Sequence, residues 1–189
     1  MNYTRLLPDM ISGPPELFQL AVDGKARTIM LINLTILGVC FGLSNLYGSM
    51  GANPELPLQG QFIFITPALF CVLGIFTMLG ALLGFTMIYW AAAKAFGGPG
   101  GFGLVVDLIG LSLVPFWLLA PLLNLALKFN QHESVPLWLL IPIVLGFIWS
   151  FKLVKQSLIV GQGLSDGRAT LALACMWIFS ISAVYLSIP

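Results

Sequence analysis

The side chains able to do acid–base, metal or nucleophilic chemistry are few and scattered. The one histidine, His132, adjoins Glu133 in a polar stretch from Lys128 to Ser134, with no second His or Cys at ligand spacing. A solvated loop histidine accounts for it. Cys40, Cys71 and Cys175 each sit inside an apolar run without CxxC or Cys/His spacing, as small hydrophobes do. Gly-x-Ser-x-Gly, Walker A and His-Glu-x-x-His patterns do not occur. The run Gly97-Gly98-Pro99-Gly100-Gly101-Phe102-Gly103 has no strand before it and no Lys-Ser/Thr after it. It therefore reads as a helix break and not as a Walker-type phosphate loop. No catalytic residue, cofactor ligand or metal ligand is nominated, and a non-enzyme is expected.

Asp107 is the exception that asks for a reason. It lies about one and a half turns into an apolar helical stretch, where an ionisable group is costly unless it faces protein or water. Lys152 and Lys155, three apart on one helical face, fall near the same end of another apolar stretch. Three readings stay open: both lysines snorkel to the headgroups, with anionic lipid; Asp107 pairs with Lys152 and ties two helices; or the carboxylate and amine line an ion or proton pathway. Asn33 and Asn124 are amides in apolar helices, expected to bond to neighbouring helices.

The elements that hold these residues follow from composition. Of 189 residues, 59% are hydrophobic and 8% charged, against about 25% charged in soluble domains, and the mean hydropathy is +1.00. Too few charges exist to cover a water-facing surface, and the apolar runs are long enough to cross a bilayer. The expected fold is an all-α membrane protein: five transmembrane helices at about 28–47, 65–95, 102–127, 136–158 and 169–187. Residues 1–27 form a cytoplasmic segment that lacks a signal-peptide pattern, and 28–189 form one transmembrane domain. Within the first segment, residues 1–13 read as a polar-to-mixed tail. Pro14 to Val22 read as a short amphipathic helix in the membrane interface, opened by proline and Glu16.

Local sequence adds detail. Gly38 and Gly42 form a GxxxG in the first span, where another helix can approach closely. Pro115 and Pro121 predict a bent third span. A loop from Gly48 to Gln61 carries Glu55 alone among charges, and Trp90 and Trp138 suit opposite interfaces. Seven cations, Arg5, Lys25, Arg27, Lys94, Lys152, Lys155 and Arg168, fall on one side of a five-span layout and Lys128 on the other. The positive-inside rule then puts the N-terminus in the cytoplasm and the C-terminus outside. A net charge of +1 offers no field for nucleic acid.

Two segments carry a family resemblance. Gly97-Gly98-Pro99-Gly100-Gly101-Phe102, followed by an apolar helix with Pro115, resembles the GG-x-x-x-F opening of the third helix in the YIP1 family. Ile148-Trp149-Ser150 through Gly163-Leu164-Ser165-Asp166-Gly167-Arg168-Ala169 is similar to that family's fourth-helix end and following turn. The five-helix layout with a Pro- and Phe-bearing lead-in helix matches as well. The D-L-Y-G-P motif of the eukaryotic secretory-pathway members is absent, so the chain resembles the compact prokaryotic type and Rab-GTPase binding does not carry over. The resemblance implies a prokaryotic cytoplasmic (inner) membrane protein that organises membrane or scaffolds other membrane proteins. Its partners are then the lipid bilayer, other membrane proteins or a second copy, with no cofactor. A small-solute or ion transporter or channel using Asp107 and Lys152 is the alternative.

Overall fold

A computed structural model describes residues 3–52, 60, 62–129 and 136–187. Among these it is all-helical, without strands: α1 Tyr3–Ser12, α2 Pro15–Val22, α3 Arg27–Ala52, α4 Phe62–Ala95, α5 Phe102–Leu111, α6 Val114–Phe129, α7 Leu137–Gln162 and α8 Asp166–Ser187. The loop with Glu55 and the turn with His132 and Glu133 lie outside the described residues.

Three helices, α3, α4 and α7, are long and apolar enough to cross a membrane; the bent pair α5–α6 makes a fourth if it counts as one span. The third span is broken more sharply than a proline kink in one helix. Its halves meet at 70°. Pro115 lacks the N–H that the Leu111 carbonyl would accept, and its ring crowds that carbonyl. Ser112 closes α5 just before the break. Ser112 N–H reaches the carbonyls of Ile109 (2.9 Å) and Leu108 (3.2 Å), and its Oγ donates to Leu108 at 3.0 Å. Pro121, inside α6, leaves that helix continuous.

The N-terminal residues are not a tail. Tyr3, Leu6, Leu7, Met10 and Ile11 recur at helical spacing, and Met10 is fully buried in α1. Gly13, at φ +70°, ends that helix. Pro15 then opens α2, which closes with Gly24 (φ +72°) donating to Ala21 and Lys25 donating to Leu20, a complete Schellman motif. The apolar face of α2, Leu17, Phe18 and Ala21, is buried, and α2 packs on α5. That face is covered by the chain itself.

The chain divides into two compact units. One comprises Met1–Met30, Leu82–Ser112 and Phe151–Pro189; the other comprises Leu31–Ala81 and Leu113–Ser150. In the second unit, α3 and α4 meet through glycines. A Cβ at Gly38 would lie 2.5 Å from the Ile75 Cα, one at Gly42 would fall on the Phe70 carbonyl, and one at Gly74 would fall on the Gly38 carbonyl. The GxxxG of α3 thus faces a glycine of α4, backbone to backbone. Leu119, Leu139 and Ile143 centre a core with Phe116, Leu122 and Phe147 around them. In the first unit, Phe18, Val105, Leu108, Leu111, Leu153 and Leu158 are fully buried.

Candidate functional site

The first unit gathers the chemistry-bearing residues. Its sequence segments hold seven of the eight lysines and arginines; only Lys128 falls in the second. The glycine turn comes first. α4 ends in another Schellman motif, with Gly97 N–H on the Lys94 carbonyl (3.1 Å) and Gly98 N–H on that of Ala93 (2.8 Å). Gly97 sits at φ +92°, which a side chain would strain.

The turn is then drawn tight over one amide. Gly100 N–H donates to Gln162 Oε1 at 3.1 Å. A Cβ at Gly98 would stand 2.7 Å from that oxygen, and one at Gly100 would overlap the amide. Gln162 is fully buried, and its Nε2 has no acceptor among the described residues. Lys94 Nζ donates to the Pro99 carbonyl at 3.0 Å. Arg168 is exposed, with Nη1 4.0 Å from where a Gly97 Cβ would be. Trp90 meets Phe102 edge to face, ring centroids 6.1 Å apart.

Asp107 follows one and a half turns into α5. Its side chain is only 8% exposed. Its partner is Arg27, the first residue of α3: Nη2 donates to Oδ2 at 3.3 Å, and Nε makes an ionic contact with Oδ1 at 2.9 Å, off the hydrogen-bond line. Lys152, the lysine the sequence suggested, is exposed instead. Lys155 pairs with Asp166 at the start of α8, 2.8 Å away. The two lysines share a helical face but do different things. A further polar link in this unit joins α4 to α7, where the Tyr89 hydroxyl bonds Ser157 Oγ and lies 3.4 Å from the Val154 carbonyl.

Asn124 and Pro115 belong to the second unit. Asn124 Nδ2 donates to Ser44 Oγ (3.2 Å) and Asn45 Oδ1 (3.1 Å), joining α6 to α3. Trp117 Nε1 donates to the Asn33 carbonyl at 3.3 Å. Pro115 opens α6 after the break.

Sequence reasoning nominated Asp107, Gly97, Gly98 and Arg168, which the structure places around one turn and the helix it starts. It missed Arg27 and Gln162. Arg27 stands at the head of the first span, and Gln162 is a lone amide between two glycines at the end of an apolar helix; that isolation was the available signal. Among the described residues no three His, Cys, Asp or Glu side chains gather to hold a metal. The assembled groups are mainly cations and N–H donors, suited to binding.

No curated protein and no solved structure matches this chain. A family model, the Yip1 domain, matches residues 15–188, from the first residue of α2 to just past the end of α8. The match takes in the glycine turn, the broken third span and the turn that carries Arg168, and the chain belongs to the Yip1 domain family.

Proposed function

We propose that this protein is a non-enzymatic organiser of the membrane that scaffolds other membrane proteins. The observation that carries the reading is α4. It runs 34 residues, and only 11% of its most apolar window is buried. Phe64, Phe76, Leu73, Leu79 and Met87 all stand exposed along it. A helix this apolar and this uncovered meets lipid or other membrane helices. Photo-crosslinkers at Leu73 and Phe76 in native membranes test it. A reproducible protein partner, or a second copy, is expected; recovery only as a solitary chain contradicts the reading.

The same proposal has five spans, α8 being the fifth, because its sequence from Ala169 to Ser187 is apolar and of spanning length. It places the N-terminus in the cytoplasm of a prokaryote, in the inner membrane, on the strength of the seven-to-one cation split.

A second reading is a transporter or channel. A broken span bearing a buried carboxylate supports it, since interrupted helices in membranes accompany cavities and ion sites. On this reading Asp107→Asn abolishes solute flux into proteoliposomes while the protein still folds. Flux no greater than that of empty liposomes for the wild type removes it.

A further inference from the structure

The turn from Gly97 to Gly103 presents donors that lack acceptors. Gly101 caps α5 without a side chain, and the N–H groups of Phe102, Gly103 and Leu104 in the first turn have no hydrogen-bond partner among the described residues. Gly103 is exposed. Such a helix start attracts anions through its free N–H groups and its dipole.

A second observation lies beside it. The buried Gln162 spends its oxygen on Gly100, the residue just before the cap, while its Nε2 abuts Gly100 with no acceptor. An orphaned buried donor is costly and asks for a partner.

Charge points the same way. Arg27 Nη2 lies 3.8 Å from where a Gly103 Cβ would be, Arg168 stands by Gly97, and Lys94 donates to the Pro99 carbonyl. Of the nearby carboxylates, Asp166 pairs with Lys155, and Asp107 shares the Arg27 guanidinium with the turn. Arg168 and Lys94 are left without a counter-ion among the described residues.

We infer that the Gly97–Gly103 turn seats a phosphate group, with the first-turn N–H groups of α5 and the Arg168 and Arg27 guanidiniums as its donors. An anionic phospholipid headgroup supplies such a group, and so does a soluble phosphate ester. The device differs from a Walker loop, which needs the Lys-Ser/Thr this chain lacks. Lipid is the expected source, because the donors open at the end of a span.

The test uses the full chain in detergent micelles, with lipid retention read by native mass spectrometry. The arms are phosphatidylglycerol, phosphatidylcholine, and inorganic phosphate without added lipid. The wild type should retain phosphatidylglycerol about tenfold better than phosphatidylcholine, one charge-assisted contact being worth roughly that factor. Arg168→Gln should lower retention about tenfold by the same reasoning, and Arg168→Lys should lower it less. Gly103→Pro removes one N–H where a helix tolerates proline, and should also weaken retention.

Lys152→Gln alters another exposed cation ten residues from Gln162 along α7, about 15 Å away, and should change nothing. Thermal unfolding in the same micelles checks the fold; if Gly103→Pro does not fold, Arg168→Gln decides. Equal retention of the two lipids, or an equal loss in Lys152→Gln, overturns the site. If inorganic phosphate stabilises the wild type and phosphatidylglycerol does not, the lipid source is overturned and the seat belongs to a soluble phosphate.

Discussion

The Arg27–Asp107 pair predicts an asymmetric response to losing either partner. Asp107 is almost wholly covered, whereas the Arg27 side chain is 55% exposed. Arg27→Gln strands a covered carboxylate inside an apolar helix. Breaking a fully buried pair costs about 3–5 kcal/mol. Solvent at the Arg27 end screens this one, so the expected loss is about 2 kcal/mol. Asp107→Asn leaves a cation that water already reaches, and should cost about 1 kcal/mol or less. The double variant should resemble Asp107→Asn, falling short of the summed losses by about 2 kcal/mol. Reversible unfolding in mixed detergent micelles measures all four corners of the cycle. Two results refute the reasoning: Arg27→Gln no more costly than Asp107→Asn, or a double variant whose loss equals the sum.

Other outcomes follow from the packing. Gly74→Leu drives a side chain into the α3 backbone at Gly38 and Gly42, and should cost about 2–3 kcal/mol by thermal unfolding. Gly84→Ala, on the same helix with nothing within 4 Å, should be neutral or stabilising by up to about 1 kcal/mol. Asn124→Leu loses the bonds to Ser44 and Asn45 and should cost about 0.6–1.7 kcal/mol in the same assay. Tyr89→Phe removes the α4–α7 hydroxyl link and should cost about 1–2 kcal/mol, read as a lower melting temperature.

Run length and punctuation made the long helices legible. Apolar runs too long for a soluble core mark α3, α4 and α7, and Gly97-Gly98 and Pro99 mark the end of α4. Each of those signals is local. The helix α1 was hidden by the polar-to-mixed composition of residues 1–13, although Tyr3, Leu7 and Met10 stand at helical spacing. Pro115 announced a bend but not its size, because one missing N–H does not fix the angle at which the next helix leaves. The partner of Asp107 was not legible. Arg27 is 80 residues away, and matching depth admits every cation on the same side. Lys152 was the candidate within a span, and the structure instead uses the residue that opens α3. Gln162 escaped notice because it lies beyond the span expected at 136–158, unlike the amides Asn33 and Asn124; the missing Cβ atoms of Gly98 and Gly100 reveal what it fits.

The proposed orientation puts the glycine turn and the Arg168 turn in the cytoplasm. Cysteine accessibility in intact cells tests this most directly, in a chain with Cys40, Cys71 and Cys175 replaced by alanine. Gly167→Cys occupies an exposed position with open space around it and should resist a membrane-impermeant maleimide until the cells are opened. Asn53→Cys should react at once from outside. The reverse pattern contradicts the orientation, and both positions reacting from the same side contradicts the five-span layout.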